Sequence, residues 1–328
     1  MLGALGRRAT CNAAASLADS SAAFFKSPRP AIVTSARKPT SRPILPRVFA
    51  MSTSEAADWL EKDERRMLHV VYRVGDMDAT IDYYQKCFGM KLLRSRDIPE
   101  EKYTNAFLGY GPETTNFAVE LTYNYGKDSY DLGEGFGHFG ITSPDVYKTC
   151  EAIKAAGGTV TREAGPVKGG NTVIAFAKDP TGYPFEIIQR ADSTEPLCQV
   201  MLRVGDLEKS MNFYTEALGM KGLRIRDNPE YKYTLGFVGY GPEESNTVVE
   251  LTYNYGKEKY EKGDGYGQIA ISTKDVYKTA DQIKAAGGTI TREPGPVPGI
   301  GTKIVACTDP DGWKIVFVDE ADFLKELA

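Results

Sequence analysis

The chain has two histidines, His69 and His138, and they fall at matching places in a repeated pattern. His69 precedes Asp76 by seven residues and Gly89 by twenty; His138 precedes Asp145 by seven and Gly158 by twenty. Glu120 follows His69 by 51 residues, inside the apolar run NFAVELTY, and Glu186 follows His138 by 48, inside YPFEIIQ. A third glutamate, Glu250 in VVELTY, follows Gln199 by 51 residues. A carboxylate in an otherwise apolar strand needs a partner or a metal to offset its desolvation. Imidazole, amide and carboxylate groups in one register make a ligand set for a divalent cation, and a carboxylate there can also move a proton. A single polar residue opening a strand is ordinarily just a satisfied strand end. The shared register of two histidines and three glutamates, rather than any one motif, favours the metal.

Positioning these groups requires a particular set of elements. HVVYRVGDMDATIDYYQKCFGMKLLRSRD, from His69, returns as QVMLRVGDLEKSMNFYTEALGMKGLRIRD from Gln199, and the offset of 130 residues holds through KDPTGYPFEI and TDPDGWKIVF. A self-repeat of this length fixes the architecture first. Within each copy a fainter repeat appears: MDATIDYYQKCFGMKL and VYKTCEAIKAAGGTV each read as an amphipathic helix closed by glycine, then a strand. The result is an α+β chain of four modules, near 68–126, 133–190, 197–256 and 263–320, each running strand, helix, then several strands. Side chains four apart on a strand share a face roughly 13 Å from each other. His69 thus pairs with Arg73, Gln199 with Arg203, Glu120 with Asn124 and Glu250 with Asn254. Each strand pair offers a ligand at one end and an anion-recognising group at the other.

Composition is consistent with two domains and two cores. No apolar run approaches a membrane span. The acidic balance, with a pI near 5.5, gives no footprint for nucleic acid. Five scattered cysteines without metal-site spacing suit a reducing compartment. The first fifty residues differ: eight Lys or Arg stand against one acid, Asp19, amid Ala, Ser and Pro. That pattern reads as a transit peptide over 1–50, for a plastid ahead of a mitochondrion or a cytoplasmic location. Its removal would take the chain from −4 to a net charge of about −11. An N-terminal helix is expected over 51–66, capped near Ser52–Ser54. The two domains are expected at 67–191 and 197–321, joined by a short polar linker near ADSTEP.

Taken together, HVVYRVGDMDATIDYYQKCFGMKLLR, NFAVELTYNYG, GFGHFGIT, PVKGGNTVIAFAKDPTGYPFEII and their twins make the chain resemble glyoxalase I, the lactoylglutathione lyases of the vicinal oxygen chelate superfamily, in their two-domain plant form. The resemblance covers nearly everything after about residue 65. It implies four βαβββ modules paired into two glyoxalase-like domains, with metal sites where leading and trailing modules of different domains meet.

Carried onto this sequence, the resemblance implies two unequal sites. Gln199 and Glu250 with His138 and Glu186 form a complete set. His69 and Glu120 with Gln268 and Val316 do not, because valine neither binds metal nor moves a proton. A pairing wholly within the first copy, His69, Glu120, His138 and Glu186, stays open at this level. The implied reaction isomerises the hemithioacetal of methylglyoxal and glutathione to S-lactoylglutathione, with glutathione as co-substrate, Glu186 as base and Glu250 as its partner. Arg203 and Asn254 match the clamp for the glutamyl end of glutathione, and Lys168, Gly169 and Gly170 the loop near its glycyl end. Arg73 and Asn124 are their counterparts in the second site. Two departures stand out: Glu134 lies where some members carry arginine, and PGIG replaces KGGN in the second copy. The short link from GMKLLRSRD to FLGYGP resembles nickel- and cobalt-activated members, whereas Gln199 resembles the zinc enzymes. Ni²⁺ is the expected metal, with Co²⁺, Mn²⁺ and Zn²⁺ as alternatives, and a monomer is the expected form. An extradiol-type dioxygenase would want two histidines and one carboxylate on iron. A metal-free ligand-binding module would not need a complete ligand set.

Overall fold

The computed structural model describes residues 55–168 and 170–328, with side chains from Asp58 onward. The expected transit peptide, 1–50, and the Ser52–Ser54 cap lie outside the described residues. Helix α1 (Glu55–Lys62) ends earlier than the residue 66 expected for it. The reason is tertiary. Buried Asp63 accepts from the Lys274 amide at 2.6 Å and the Thr273 hydroxyl at 2.7 Å. Buried Arg65 donates to Thr279, Gln282 and the Leu218 carbonyl, and Glu64 between them turns to φ 50°. These bonds point away from a helical path, so the chain leaves the helix to satisfy them.

The architecture is α+β, and the four modules are built alike. The first is β1 (Met67–Arg73), α2 (Met77–Phe88), β2 (Lys91–Ile98), β3 (Tyr103–Gly109) and β4 (Ala118–Asn124). The second is β5 (Phe136–Ser143), α3 (Val146–Ala155), β6 (Thr159–Pro166), β7 (Val173–Lys178) and β8 (Pro184–Gln189). The third is β9 (Leu197–Arg203), α4 (Leu207–Asn212), β10 (Lys221–Asn228), β11 (Tyr233–Gly239) and β12 (Val248–Asn254), with α4 running on as a π turn over Phe213–Ala217. The fourth is β13 (Tyr266–Thr273), α5 (Val276–Ala285), β14 (Thr289–Pro296), β15 (Lys303–Thr308) and β16 (Lys314–Asp319), followed by α6 (Glu320–Glu326). Each module helix starts on an aspartate whose carboxylate accepts a first-turn amide: Asp76, Asp145, Asp206 and Asp275. Such caps typically contribute about 1 kcal/mol. Gly89 closes α2 at φ 68°, a left-handed position that favours glycine.

Two eight-stranded sheets result, ordered β14-β15-β16-β13-β1-β4-β3-β2 and β10-β11-β12-β9-β5-β8-β7-β6. Each joins the leading module of one copy to the trailing module of the other, through antiparallel pairs β1–β13 and β9–β5. Neither copy completes a sheet alone. Between the sheets, Tyr72 on β1 packs on Phe139 on β5 at 4.1 Å between centroids, and Phe139 stacks on Phe185 at 4.8 Å. All three rings are fully buried, and each such ring contributes on the order of 1.5–3 kcal/mol. Two polar ties cross the same core. The Tyr183 hydroxyl donates to the Arg73 carbonyl at 2.9 Å, and its twin Trp313 donates its indole N–H to the Arg203 carbonyl at 3.0 Å.

The second sheet is rolled. Its edge strands β10 and β6 would lie about 34 Å apart if it were flat, from seven spacings of about 4.8 Å. Yet the Lys168 ammonium, just after β6, lies 5.2 Å from the ring of Tyr231, just after β10. The sheet therefore wraps a trough, and its inner face lines a cleft.

Candidate metal centre

The central strands of that sheet, β12-β9-β5-β8, each place one polar side chain on the inner face. Register explains the convergence. Glu250 sits beside Met201, and Met201 beside His138; Gln199 sits beside Gly140, and Gly140 beside Glu186. His138 Nε2 lies 3.1 Å from Glu186 Oε2 and 3.9 Å from Glu250 Oε2. The Gln199 amide nitrogen lies 2.7 Å from Glu250 Oε2, 3.3 Å from Glu186 Oε2 and 3.2 Å from His138 Nε2. One electropositive group thus sits among three ligand atoms. Gly140 makes this possible, because a Cβ there would meet Gln199 Cγ at 2.0 Å.

The electrostatics follow from burial. His138, Gln199 and Glu250 are buried, and Glu186 is nearly so. Desolvation, reinforced by the Glu186 carboxylate, pushes the Glu250 carboxyl up to about 6 despite the pull of His138. Burial opposes a charge on His138, but the Glu186 and Glu250 carboxylates outweigh it and raise its pKa. Imidazole, amide and two carboxylates grouped this tightly are short of positive charge. Turned about its last torsion, the Gln199 amide presents its oxygen inward, completing a mixed N/O set suited to a divalent cation. Among the described residues, the one cluster of this kind comprises His138, Glu186 and Glu250 with ligand atoms within 4.8 Å of one another.

The other sheet brings its own histidine and glutamate together. His69 Nε2 lies 3.1 Å from Glu120 Oε2, and the Asn105 amide donates to Glu120 at 2.7 Å. The geometry therefore gathers His138 and Glu186 with Gln199 and Glu250, and not with His69 and Glu120. Gln268 is half-buried on β13 beside Val71, the same register that His138 has beside Met201. Val316 is buried with Ala270, Val318 and Phe323. Phe323 comes from α6, and its ring centroid is 6.4 Å from that of His69. Among the described residues this apolar filling has no counterpart in the cleft of Gln199 and Glu186, where the chain leaves β8 through the linker to β9.

At the far ends of the strands, Arg203 donates to the carbonyls of Glu134 and Phe136 at 2.6 and 2.9 Å. Arg73 repeats this with Asp264 and Tyr266 at 2.8 and 3.2 Å. Asn254 donates to the Tyr260 hydroxyl and Asn124 to that of Tyr130, both at 2.8 Å. Glu134, at the departure from the arginine pattern, is ion-paired with Lys257. Lys168 stands at the rim; Gly170 donates to the Val167 carbonyl at 3.1 Å, and Gly169 lies outside the described residues. Sequence reasoning missed Gly140, Asn105 and the aromatic wall of Phe176, 5.6 Å edge-on from His138. Twin comparison held the signal for two of them: Gly140 matches Ala270, and Asn105 matches Leu235.

The glyoxalase model, described as Glyoxalase/Bleomycin resistance protein/Dioxygenase superfamily, matches residues 66–187 and 197–317. The chain belongs to that superfamily. A probable lactoylglutathione lyase, chloroplastic, of Arabidopsis thaliana is 67% identical over 278 residues, covering 85% of this chain and 79% of the relative. A lactoylglutathione lyase of Oryza sativa subsp. japonica is 64% identical, covering 82% and 94%. The crystal structure of glyoxalase I from Zea mays superposes with a TM-score of 0.81 at 66% identity, covering 82% of this chain and 98% of that one. Within the superfamily the chain falls with the two-domain plant glyoxalase I enzymes, and its activity is that of a lactoylglutathione lyase.

Proposed function

We propose that the chain isomerises the hemithioacetal of methylglyoxal and glutathione to S-lactoylglutathione in one working cleft, with Gln199, Glu250, His138 and Glu186 holding a divalent cation. The observation that carries this reading is the convergence of those four side chains from both copies around one point. Removing the carbon-bound proton leaves negative charge on two neighbouring substrate oxygens, and the bound cation supplies the opposing charge there. Glu186 takes that proton and returns it to the adjacent carbon, a role open to a carboxylate with its second oxygen unclaimed. Glu250, deeper and held by Gln199, is its partner for the opposite substrate enantiomer. Arg203 and Asn254 hold the glutamyl carboxylate, each trading its present internal bond for a charge-assisted one. Lys168, with Gly169 and Gly170, receives the glycyl carboxylate.

His69, Glu120 and Gln268 form a second site without turnover, since Val316 and Phe323 fill the place of its base and its open face. Arg73 and Asn124 keep the anion-recognising end there. Ni²⁺ is the proposed metal. A plastid location is supported by the basic, acid-poor first fifty residues and by the chloroplastic relative. The chain acts as a monomer of two domains, 67–191 and 197–321, because each sheet already takes both its halves from one polypeptide. Purified protein should carry stoichiometric nickel and build thioester absorbance on methylglyoxal with glutathione. Iron with oxygen uptake instead would mark a dioxygenase, and absence of turnover with any ion would overturn the reading.

A further inference from the structure

Glu326 of α6 is bound across the cleft of the other sheet, the one carrying His69 and Glu120 and hereafter the second cleft, as a ligand carboxylate would be. Its Oε2 lies 2.6 Å from Arg96 Nη2 on edge strand β2 and 3.9 Å from Arg94 Nη1. Its Oε1 accepts from the Thr302 hydroxyl, which precedes β15 on the other half of the sheet. One helical turn earlier, Phe323 rests against His69. The helix thus lays an apolar group at the ligand register and a carboxylate about 5–6 Å further along.

The 130-residue offset places Arg226, Arg224 and Thr172 at the same three positions of the working cleft. Register puts Arg226 beside Leu235 and Arg224 beside Phe237, as it puts Arg96 beside Asn105 and Arg94 beside Phe107. Phe237 neighbours Glu250, so both arginines share the inner face with the metal centre. Arg224 is held by Glu243 at 2.6 Å and lies 3.4 Å over the Phe237 ring, just as Arg94 is held by Glu113 and Phe107. Arg226 differs from its twin. Among the described residues no helix covers it and its side chain bonds nothing, and the residue is exposed. Thr172 is exposed in the same way.

We propose that Arg226 and Thr172, backed by Arg224, form an anion subsite that receives a carboxylate carried on the aldehyde-derived half of the substrate. The proposal rests on the lyase reading and names a substrate class for it: 2-oxoaldehydes whose short carbon chain ends in an acid group. Glutathione's own two carboxylates are directed to Arg203 with Asn254 and to Lys168. In the twin cleft the Glu326 carboxylate lies one helical turn beyond Phe323, whose ring rests against His69 at the ligand register, the direction in which an aldehyde-derived chain would extend from the reacting carbons. The substrate acid replaces water around an exposed guanidinium with a two-pronged, charge-assisted contact.

The test needs no turnover. Calorimetry compares S-(3-carboxypropyl)glutathione with the near-isosteric S-butylglutathione on nickel-loaded wild type, Arg226→Gln and Thr172→Val. Wild type should prefer the carboxylate conjugate, and Arg226→Gln should lose about tenfold of that preference, with Thr172→Val losing less. Raised salt should erode the preference in wild type and leave the Arg226→Gln ratio flat. Equal binding of the two conjugates by wild type, or an unaltered preference in Arg226→Gln, would overturn the subsite. A matched loss for both conjugates would do the same, since it assigns the arginine to the glutathione half. Methylglyoxal turnover by the same preparation tests the lyase reading separately.

Discussion

Asn105 on β3 donates its amide to Glu120 on β4 at 2.7 Å, whereas its twin, Leu235 on β11, offers Glu250 nothing. The two glutamates otherwise occupy the same place in the same module. For Glu120, burial is outweighed by His69 and Asn105, and its pKa is lowered. For Glu250, burial wins and the carboxyl rises to about 6. One substitution beside each strand thus accompanies opposite shifts of the two carboxyls.

That difference sets a pH dependence in the metal-free protein. With the folded pKa above the ordinary 4.5, the fold favours neutral Glu250. Its contribution is complete below pH 4.5 and disappears as pH climbs through about 6, a loss of about 2 kcal/mol. Urea unfolding with chelator, from pH 4.5 to 7.5, should show wild type losing about 2 kcal/mol relative to Glu250→Gln. Leu235→Asn, which restores the amide donor, should shrink the effect.

Glu186→Gln should lower kcat by about 10²–10⁴-fold, the range a positioned proton-transfer group contributes. Glu120→Gln should leave kcat within a few fold of wild type. Thioester formation at saturating hemithioacetal measures both. Equal losses would contradict the assignment of His138 and Glu186 to Gln199 and Glu250.

Gly140→Ala adds a methyl where Gln199 Cγ lies 2.0 Å from the ideal Cβ position. Overpacking of this kind costs about 1–3 kcal/mol, and here it also pushes Gln199 aside. Nickel affinity, read by competition with a chelator, should fall about 10–100-fold, as when a metal ligand loses its support. The second cleft already carries Ala270 at this place, beside Val316.

Much of this was legible beforehand because the repeat turns one sequence into its own comparison. The helix-capping aspartates, the histidines, glutamines and glutamates on the strands, and the mismatch of Val316 with Glu186 all appear at fixed offsets. Contacts that join distant strands were not legible. Periodicity places Asn105 on a strand but says nothing of its bond to Glu120. Helix α6 follows the last repeated strand and has no twin, so nothing in the pattern announced that Phe323 would settle against His69. The early end of α1 likewise depends on Asp63 and Arg65 finding partners more than 150 residues away.

A single cation shared by both copies is tested most directly by metal stoichiometry. Protein stripped with chelator, reconstituted with nickel and desalted should hold one ion per chain by mass spectrometry. A Gln199→Ala, Glu250→Ala double variant should hold none, although its His138 and Glu186 are intact. Two ions per wild-type chain, or full retention by the double variant, would contradict it.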